Sequence, residues 1–546
     1  MQIECLSAQV SDQHERFPET QFIHTIQQFT SNVINGVSSI NLPIARPKTL
    51  PLAPKEFPVQ MSMIQMDPQR VPLSPAQKAR RINMNPDLYG TFAEIGVGQE
   101  TVRHFFRAGG ASQTIAKAMS AYDKDFSNAI YGSEPGNRFV CESRLMNMLG
   151  HEFGLMQERL NRADHPTKKF FTFANTVAGS TFERPHSGHG WIGVRFQAGP
   201  QEPTNDVILH VRLHDPDISL QQEGIGIMGV NLLHGCLFHH ADPNEIMTSL
   251  YDNVSRHVIE VDMIQMNGPV FQQVDNRLLS LQLVKRGFTD AVLFGPDGQN
   301  LQASEALYKK NILTIRGSFR PVTKVNIDMI MNGYNMFIKE QRVERQNMQV
   351  LFEITLNNLR SDTGDVDEKD FIDRADILCS LGQTVLISNY QEYYKLVEYF
   401  SRYTKARMGL IMGVNNLVDV FDEKYYRHLN GGMLEAFGIL FTRDLKIYVY
   451  PSRASATAEI VTTQTMPVHP RLQPLYDYLL FNKRLVDINN FDPNVLHIFS
   501  KQVLDLIRGN QPGWESLVPP YVDNMIKDNL LFGYSPTKEV KAEAKA

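Results

Sequence analysis

Concentrated positive charge is missing from this sequence. Lysine and arginine total 54 against 59 acidic residues, a net charge of −5. With no basic block to neutralise phosphates, the chain is not expected to bind nucleic acid. Cysteine is scarce. Cys5, Cys141, Cys236 and Cys379 stand far apart with no CxxC pair, which argues against a disulfide framework and a cysteine zinc site and fits a reducing compartment. No apolar run approaches the ~18 residues of a membrane span. The first residues, MQIECLSAQVSDQHERFPE, lack the basic region and apolar core of a secretory signal. The expectation is a cytoplasmic protein with no membrane partner. HExxH, GxSxG and GxxxxGK[ST] are all absent, which removes the commonest metalloprotease, hydrolase and P-loop signatures. The 16 histidines form no clean metal pattern, and no metal site is expected.

What is present is ordinary globular composition, 42% hydrophobic and 21% charged over 546 residues. Residues 1–75 read as a proline-rich extended or disordered tail, with prolines from Pro43 to Pro75 and no long apolar period. Residues 76–165 read as a helical N-terminal region. It includes a glycine turn, Gly96-Val97-Gly98, whose backbone N–H groups resemble a phosphate cradle but which a tight turn explains better.

From 166 to 455 short apolar runs alternate with amphipathic stretches. Eight runs stand out: Val207–Leu213, Val258–Met266, Ala291–Phe294, Ile312–Ile315, Val350–Leu356, Val385–Ile387, Met408–Met412 and Leu445–Tyr450. Phe170–Ala174 and Trp191–Phe196 are two more. Runs that are nearly continuously apolar suit strands covered on both faces, and strand–helix alternation implies parallel neighbours. The fold class is therefore α/β, with a mostly parallel sheet of eight or more strands. It forms either an open doubly wound or composite sheet or a (β/α)8-like barrel. Residues 456–546 read as a helical C-terminal region with a frayed charged tail.

Parallel sheets bind ligands beyond the carboxyl ends of their strands. The polar residues expected there include Arg316, Ser318, Arg320, Asn357 and Arg453. Guanidinium groups suit phosphate or carboxylate, so the expected partner is an anionic small molecule. Arg195 and Arg212 lie inside apolar runs. They are further candidates for ligand contact, or else partners for the acidic residues Glu260, Asp262 and Glu353, which also sit in such runs.

The segment Gly179–His189, GSTFERPHSGH, resembles the G[ST]FDPxHxGH signature of nicotinate-nucleotide adenylyltransferases, with Phe170–Ala174 as the preceding strand. In that family the two histidines contact nucleotide phosphates and stabilise the transferring adenylyl group. The resemblance implies catalytic roles for His186 and His189, and Mg²⁺ as the ion such chemistry uses. Glu183 stands at the signature's Asp and Arg184 at its Pro, and a strand follows His189 where the family has a helix. A wider resemblance covers FAEIGVGQE, HGWIGVRFQ, DVILHVRLHD and RGSFRPVTKVNIDM. These segments are similar to a family of large uncharacterised bacterial proteins often labelled "TonB-dependent receptor" or "nicotinate-nucleotide adenylyltransferase". The receptor label conflicts with the pattern, because an outer-membrane barrel needs many alternating strands of about ten residues. The functional expectation is a soluble α/β protein that binds a phosphorylated or nucleotide-type molecule, with nucleotidyl transfer as the reaction the resemblance adds. A non-catalytic metabolite-binding or scaffold protein is one alternative, and a barrel enzyme on an anionic, non-nucleotide substrate is another.

Overall fold

The computed structural model describes residues 71–180, 188–360, 364–455 and 457–536. Most of the proline-rich tail, and His186, lie outside them. The strands divide between two sheets. The first takes β1 (Leu88–Gly96), β2 (Ile115–Met119), β3 (Lys169–Ala178), β4 (His189–Gln197), β5 (Thr204–Leu213) and β6 (Ile259–Asn267), in the order β2-β1-β3-β4-β5-β6. The second takes β7 (Ala291–Phe294), β8 (Asn300–Leu301), β9 (Asn311–Arg316), β10 (Met348–Thr355), β11 (Thr384–Ser388), β12 (Met408–Gly413), β13 (Lys446–Tyr450) and β14 (Leu485–Asp487). Its order is β14-β13-β12-β9-β10-β11-β7-β8.

The second sheet is doubly wound through its six parallel strands, β14 to β11 in that order. Its residues alternate between two cores. Leu313, Ile315, Phe352 and Ile354 pack on one side, and Ile312, Leu351, Leu410 and Met412 on the other. Helices cover both faces, which is why the strands read as unbroken apolar runs. From β9 the chain steps to β10 and β11; it then returns to the far side of β9 for β12 and steps outward to β13 and β14. Right-handed crossovers in opposite directions place helices on opposite faces. Accordingly Ile330, Phe337, Phe371 and Leu378 pack in the first core, and Leu396, Leu417, Phe437 and Leu479 in the second.

Three expectations are corrected. The sheet does not close: β14 and β8 stand at opposite edges, so the barrel alternative falls. The runs Val207–Leu213 and Val258–Met266 do not belong to the parallel sheet. They form β5 and β6, an antiparallel pair in the other sheet. Strand–helix–strand order misled here because two helices, Ile218–Phe238 and Pro243–Leu250, return the chain antiparallel rather than across the sheet. Third, residues 76–165 are not only helical. They supply β1 and β2, and β1 pairs with β3 through nine register positions from Leu88↔Lys169 to Gly96↔Val177.

The first sheet is also covered on both faces. Helices Pro75–Asn83, Thr101–Ala108 and Ile218–Phe238 pack on one side, and Glu142–Arg159 lies on the other against Ala174, Trp191, Ile208 and Met263. Ser74 starts the Pro75–Asn83 helix with a reciprocal capping box to Gln77. No helix among the described residues is long and apolar enough to cross a membrane.

Candidate functional site

Adjacent strands whose following connections run in opposite directions leave a crevice at their carboxyl ends. In the second sheet those strands are β9 and β12. A cleft of about 440 Å³ lies there, and its wall comes from the segments after β9, β10, β11 and β12: Gly317 and Ser318, Asn357 and Asn358, Gln391 to Tyr393, and Asn416, Asp419 and Val420. Tyr425 and Tyr426 complete it.

Arg316 ends β9 and lines this cleft, but its charge is already answered. Its Nε and Nη2 donate to Glu353 Oε2 and Oε1 at 2.8 and 2.9 Å, and its Nη1 donates to the Gln391 carbonyl at 2.8 Å. Its guanidinium lies 4.1 Å from the Tyr393 ring centre. Glu353 is fully buried and also accepts from Ser388 Oγ at 2.6 Å. This pair is what allows a carboxylate to sit inside an apolar strand.

The loop after β9 is held from below. Arg374, fully buried, donates Nη1 to the Ser318 and Asn358 carbonyls at 2.9 and 2.8 Å, and pairs with Asp370. Arg320 pairs with the same carboxylate. Phe319 adopts φ 47° and packs on Phe352 with ring centres 5.2 Å apart. A left-handed aromatic residue is uncommon strain, of the kind that clusters at sites. Asn357 is exposed in the wall. Tyr393 is buried, and its hydroxyl has no hydrogen-bond partner among the described residues. Burial pushes that phenol up to about 12.

The structure thus brings Arg316, Ser318 and Asn357 together around one cleft and places Arg320 beneath its loop. Arg453 follows β13 outside the described cleft wall, with its Nε buried and unpartnered among the described residues. Arg195, Arg212 and His189 lie on the other sheet. Arg195 grips Asp206, its register partner on β5, through bonds of 2.8 and 2.7 Å. Arg212 donates to the Tyr403 hydroxyl. Burial opposes its charge, but Tyr403, Asp262 and Glu260 outweigh that and hold its pKa above the ordinary value. Glu260 accepts from His214 at 2.6 Å and from Thr289 at 2.5 Å. Burial works against this carboxylate, yet those bonds and Arg212 hold it at about 2.

The glycine turn does not cradle a phosphate. The first N–H groups of helix Thr101–Ala108 donate to Glu94 instead, from Thr101 at 3.0 Å and Val102 at 3.2 Å. Gly96 sits at φ 79°, and a Cβ on Gly98 would fall 2.0 Å from Asn175 Oδ1. Close packing accounts for both glycines. Among the described residues no group of three or more His, Cys, Asp or Glu side chains is placed to hold a metal ion.

Reading along the sequence missed Tyr393, which a count of polar residues at strand ends passes over. It also missed His210 and its alignment with Arg212. The two-residue spacing in DVILHVRLHD does carry that signal, since positions 210 and 212 share a strand face.

No family model matches this chain, and no curated protein does. Several solved structures align with under a third of it. The competence/damage inducible protein CihA from Agrobacterium tumefaciens is 17% identical, covering 26% of this chain and 82% of its own, with a TM-score of 0.19. A CinA superfamily protein from Enterobacter cloacae is 11% identical, covering 31% and 94%, with a TM-score of 0.23. The competence damage-inducible protein A from Klebsiella pneumoniae is 10% identical, covering 31% and 99%, also at 0.23. The receptor label finds no support in the two open α/β sheets.

Proposed function

We propose that the protein binds a small hydrogen-bonding molecule of the nucleoside or sugar type in the cleft at the ends of β9 to β12. The Tyr393 hydroxyl carries this reading. Tyr393 belongs to the cleft wall, and its hydroxyl is buried with no partner among the described residues. Leaving such a group unsatisfied costs about 1–3 kcal/mol, which a polar ligand atom would recover. The rest of the wall supports the same chemistry. Asn357, Asn358, Asn416, Ser318 and Thr355 offer amide and hydroxyl groups, and Tyr425 offers an aromatic face.

Charge narrows the ligand. Arg316 is the cation of the described wall and is neutralised by Glu353, while Glu392 and Asp419 are acidic. A polyphosphate is therefore a poorer fit than an uncharged or singly charged molecule. No histidine, cysteine or lysine occurs among the described lining residues. The metabolite-binding alternative thus has direct support. Nucleotidyl transfer would need His186, His189, Arg316 and Arg320 in one place; His189 is on β4, and both arginines are spent on acidic partners.

Calorimetric and thermal-shift titrations with adenosine, ribose, AMP and ATP, each with and without Mg²⁺, test this. The uncharged ligands should raise Tm. Tyr393→Phe should weaken their binding roughly fivefold, as expected for one lost hydrogen bond of ~1 kcal/mol. A Tm rise with ATP and Mg²⁺ alone would return nucleotidyl transfer to first place. No response to any of the four, or binding unchanged in both Tyr393→Phe and Asn416→Ala, would refute the cleft as the site.

A further inference from the structure

Away from the cleft, three side chains of the first sheet form a line that packing does not require. Asp262 Oδ1 lies 2.5 Å from His210 Nδ1, and His210 Nε2 lies 3.2 Å from His189 Nδ1. The three come from adjacent strands, β6, β5 and β4. A bulge brings the acid into line. His210 pairs with Met263 and Val211 with Val261, so Asp262 is the extra residue between them. Bulges re-aim side chains and recur beside active sites. His210 is 1% exposed, with Trp191 edge-on at 4.9 Å and the Gln302 amide 3.1 Å from its Nδ1. His189 is half-buried and sits directly opposite Arg212 in the β4–β5 ladder.

A purely structural network would satisfy all its members, because a partly satisfied one is costly in a low dielectric. Here Asp262 Oδ2 is buried with no hydrogen-bond partner among the described residues. The second imidazole also adds a polar contact where an apolar side chain would fill the face.

We propose that Asp262, His210 and His189 form a proton relay whose outer imidazole, beside Arg212, acts as general base on a substrate bearing an oxyanion. With His210 Nδ1–H donated to Asp262, its Nε2 accepts from His189 Nδ1–H. That leaves the lone pair on His189 Nε2 available. When this nitrogen takes the proton of a water or hydroxyl, the Nδ1 proton passes to His210 Nε2. The positive charge then rests against the Asp262 carboxylate instead of on His189. The freed oxygen pair bonds to the electrophilic centre of the substrate, the bond to the leaving oxygen breaks, and the proton returns by the same route to that oxygen. The guanidinium N–H groups of Arg212 not given to Tyr403 would hold the anion.

Burial above all pushes the His189 imidazole down to about 4, and the charge of Arg212 acts in the same direction. It is therefore unprotonated near pH 7 with its Nε2 lone pair available, and passing the charge on to His210 beside Asp262 offsets its low basicity. The other ionisable groups nearby are Glu260 paired with His214, Tyr399 and Tyr403 from the second sheet's side, and Glu142, whose carboxyl burial pushes up.

Nitrogen NMR of histidine-labelled full-length protein tests this directly, because the shifts report which ring nitrogen carries the proton. His189 should be neutral at pH 7 with its proton on Nδ1. Inorganic phosphate and acetate, titrated separately, distinguish phosphoryl from carboxylate substrates. At least one should shift the His189 signals, with affinity falling tenfold or more in Arg212→Gln. Asp262→Asn should move the His189 signals without an added anion. A proton on Nε2 in the unaltered protein, no response to either anion, or a response unchanged in Arg212→Gln would overturn the proposal. The first two readings need no variant, so they stand even if a substitution disturbs folding.

Discussion

Glu94 shows what a single carboxylate does when the fold places it under a helix. It is 3% exposed and accepts from Thr101 N, Val102 N and Asn175 Nδ2. Burial outweighs those bonds and pushes its carboxyl up to about 7 from an ordinary 4.5. The folded state therefore keeps a proton that the unfolded chain has released. Between those two values, stability attributable to Glu94 falls as pH rises, and it levels off above the upper one. Glu94→Gln should lack this fall while keeping one acceptor for the helix N–H groups. Urea midpoints for both proteins from ~pH 5 to ~pH 8 would show the difference between them narrowing or reversing as pH rises. A constant difference would mean that Glu94 is ionised throughout. Arg316 teaches the complementary lesson. The sequence shows an arginine at a strand end, and only the position of Glu353, its register partner on the adjacent strand β10, reveals that its charge is spent.

At the scale of elements, close approach decides what a helix tolerates. Helix Lys324–Phe337 lies so tightly on β12 that a Cβ on Gly333 would fall 2.3 Å from Ile411 Cδ1. In helix Glu142–Arg159 a Cβ on Gly154 would meet nothing within 4 Å. Both glycines have the same intrinsic helix cost, yet their substitutions should differ in sign. Gly154→Ala should stabilise by ~0.5–1 kcal/mol. Gly333→Ala should destabilise by ~1–3 kcal/mol through overpacking. Chemical denaturation of the two variants side by side checks this; equal effects would show that the β12 contact can yield. Helix Asn276–Lys285 faces both ways as well. Leu279 and Leu283 pack into the core of the first sheet, and Leu281 and Val284 into that of the second.

Across the whole molecule, that shared helix ties the sheets into one body. Further links are Arg277 to Asp376 at 2.5 Å, Arg138 to Glu305 at 2.9 Å, and Arg212 to Tyr403. The two tryptophans happen to report separately. Trp191 belongs to the first sheet and Trp514 to a core of the second. Trp191→Phe and Trp514→Phe each leave one fluorophore. Their urea transitions should coincide, since the apolar faces of helix Asn276–Lys285 would be exposed if either side unfolded alone. Two separated midpoints would mean that the two sheets unfold as independent domains.

Sequence alone determined the local structure wherever periodicity is strong. The parallel strands β9 to β13 coincide with apolar runs that stand out in the sequence, and helices Pro75–Asn83 and Glu142–Arg159 fall in the stretch that reads as helical. It also located the residues after β9 and β10 that line the cleft, because strand ends in a parallel sheet are where ligands meet backbone. Sheet membership was left to the tertiary structure. Val207–Leu213 and Val258–Met266 are as apolar as the parallel strands, and nothing local tells a strand buried between helices which sheet it will join. Partnership was left to it as well. Whether Arg195, Arg316 and Arg320 remain available to a ligand depends on Asp206, Glu353 and Asp370, which approach only when separate strands and helices pack. Spacing along a chain fixes which face a side chain takes; what it meets there is set by contacts between residues far apart in sequence.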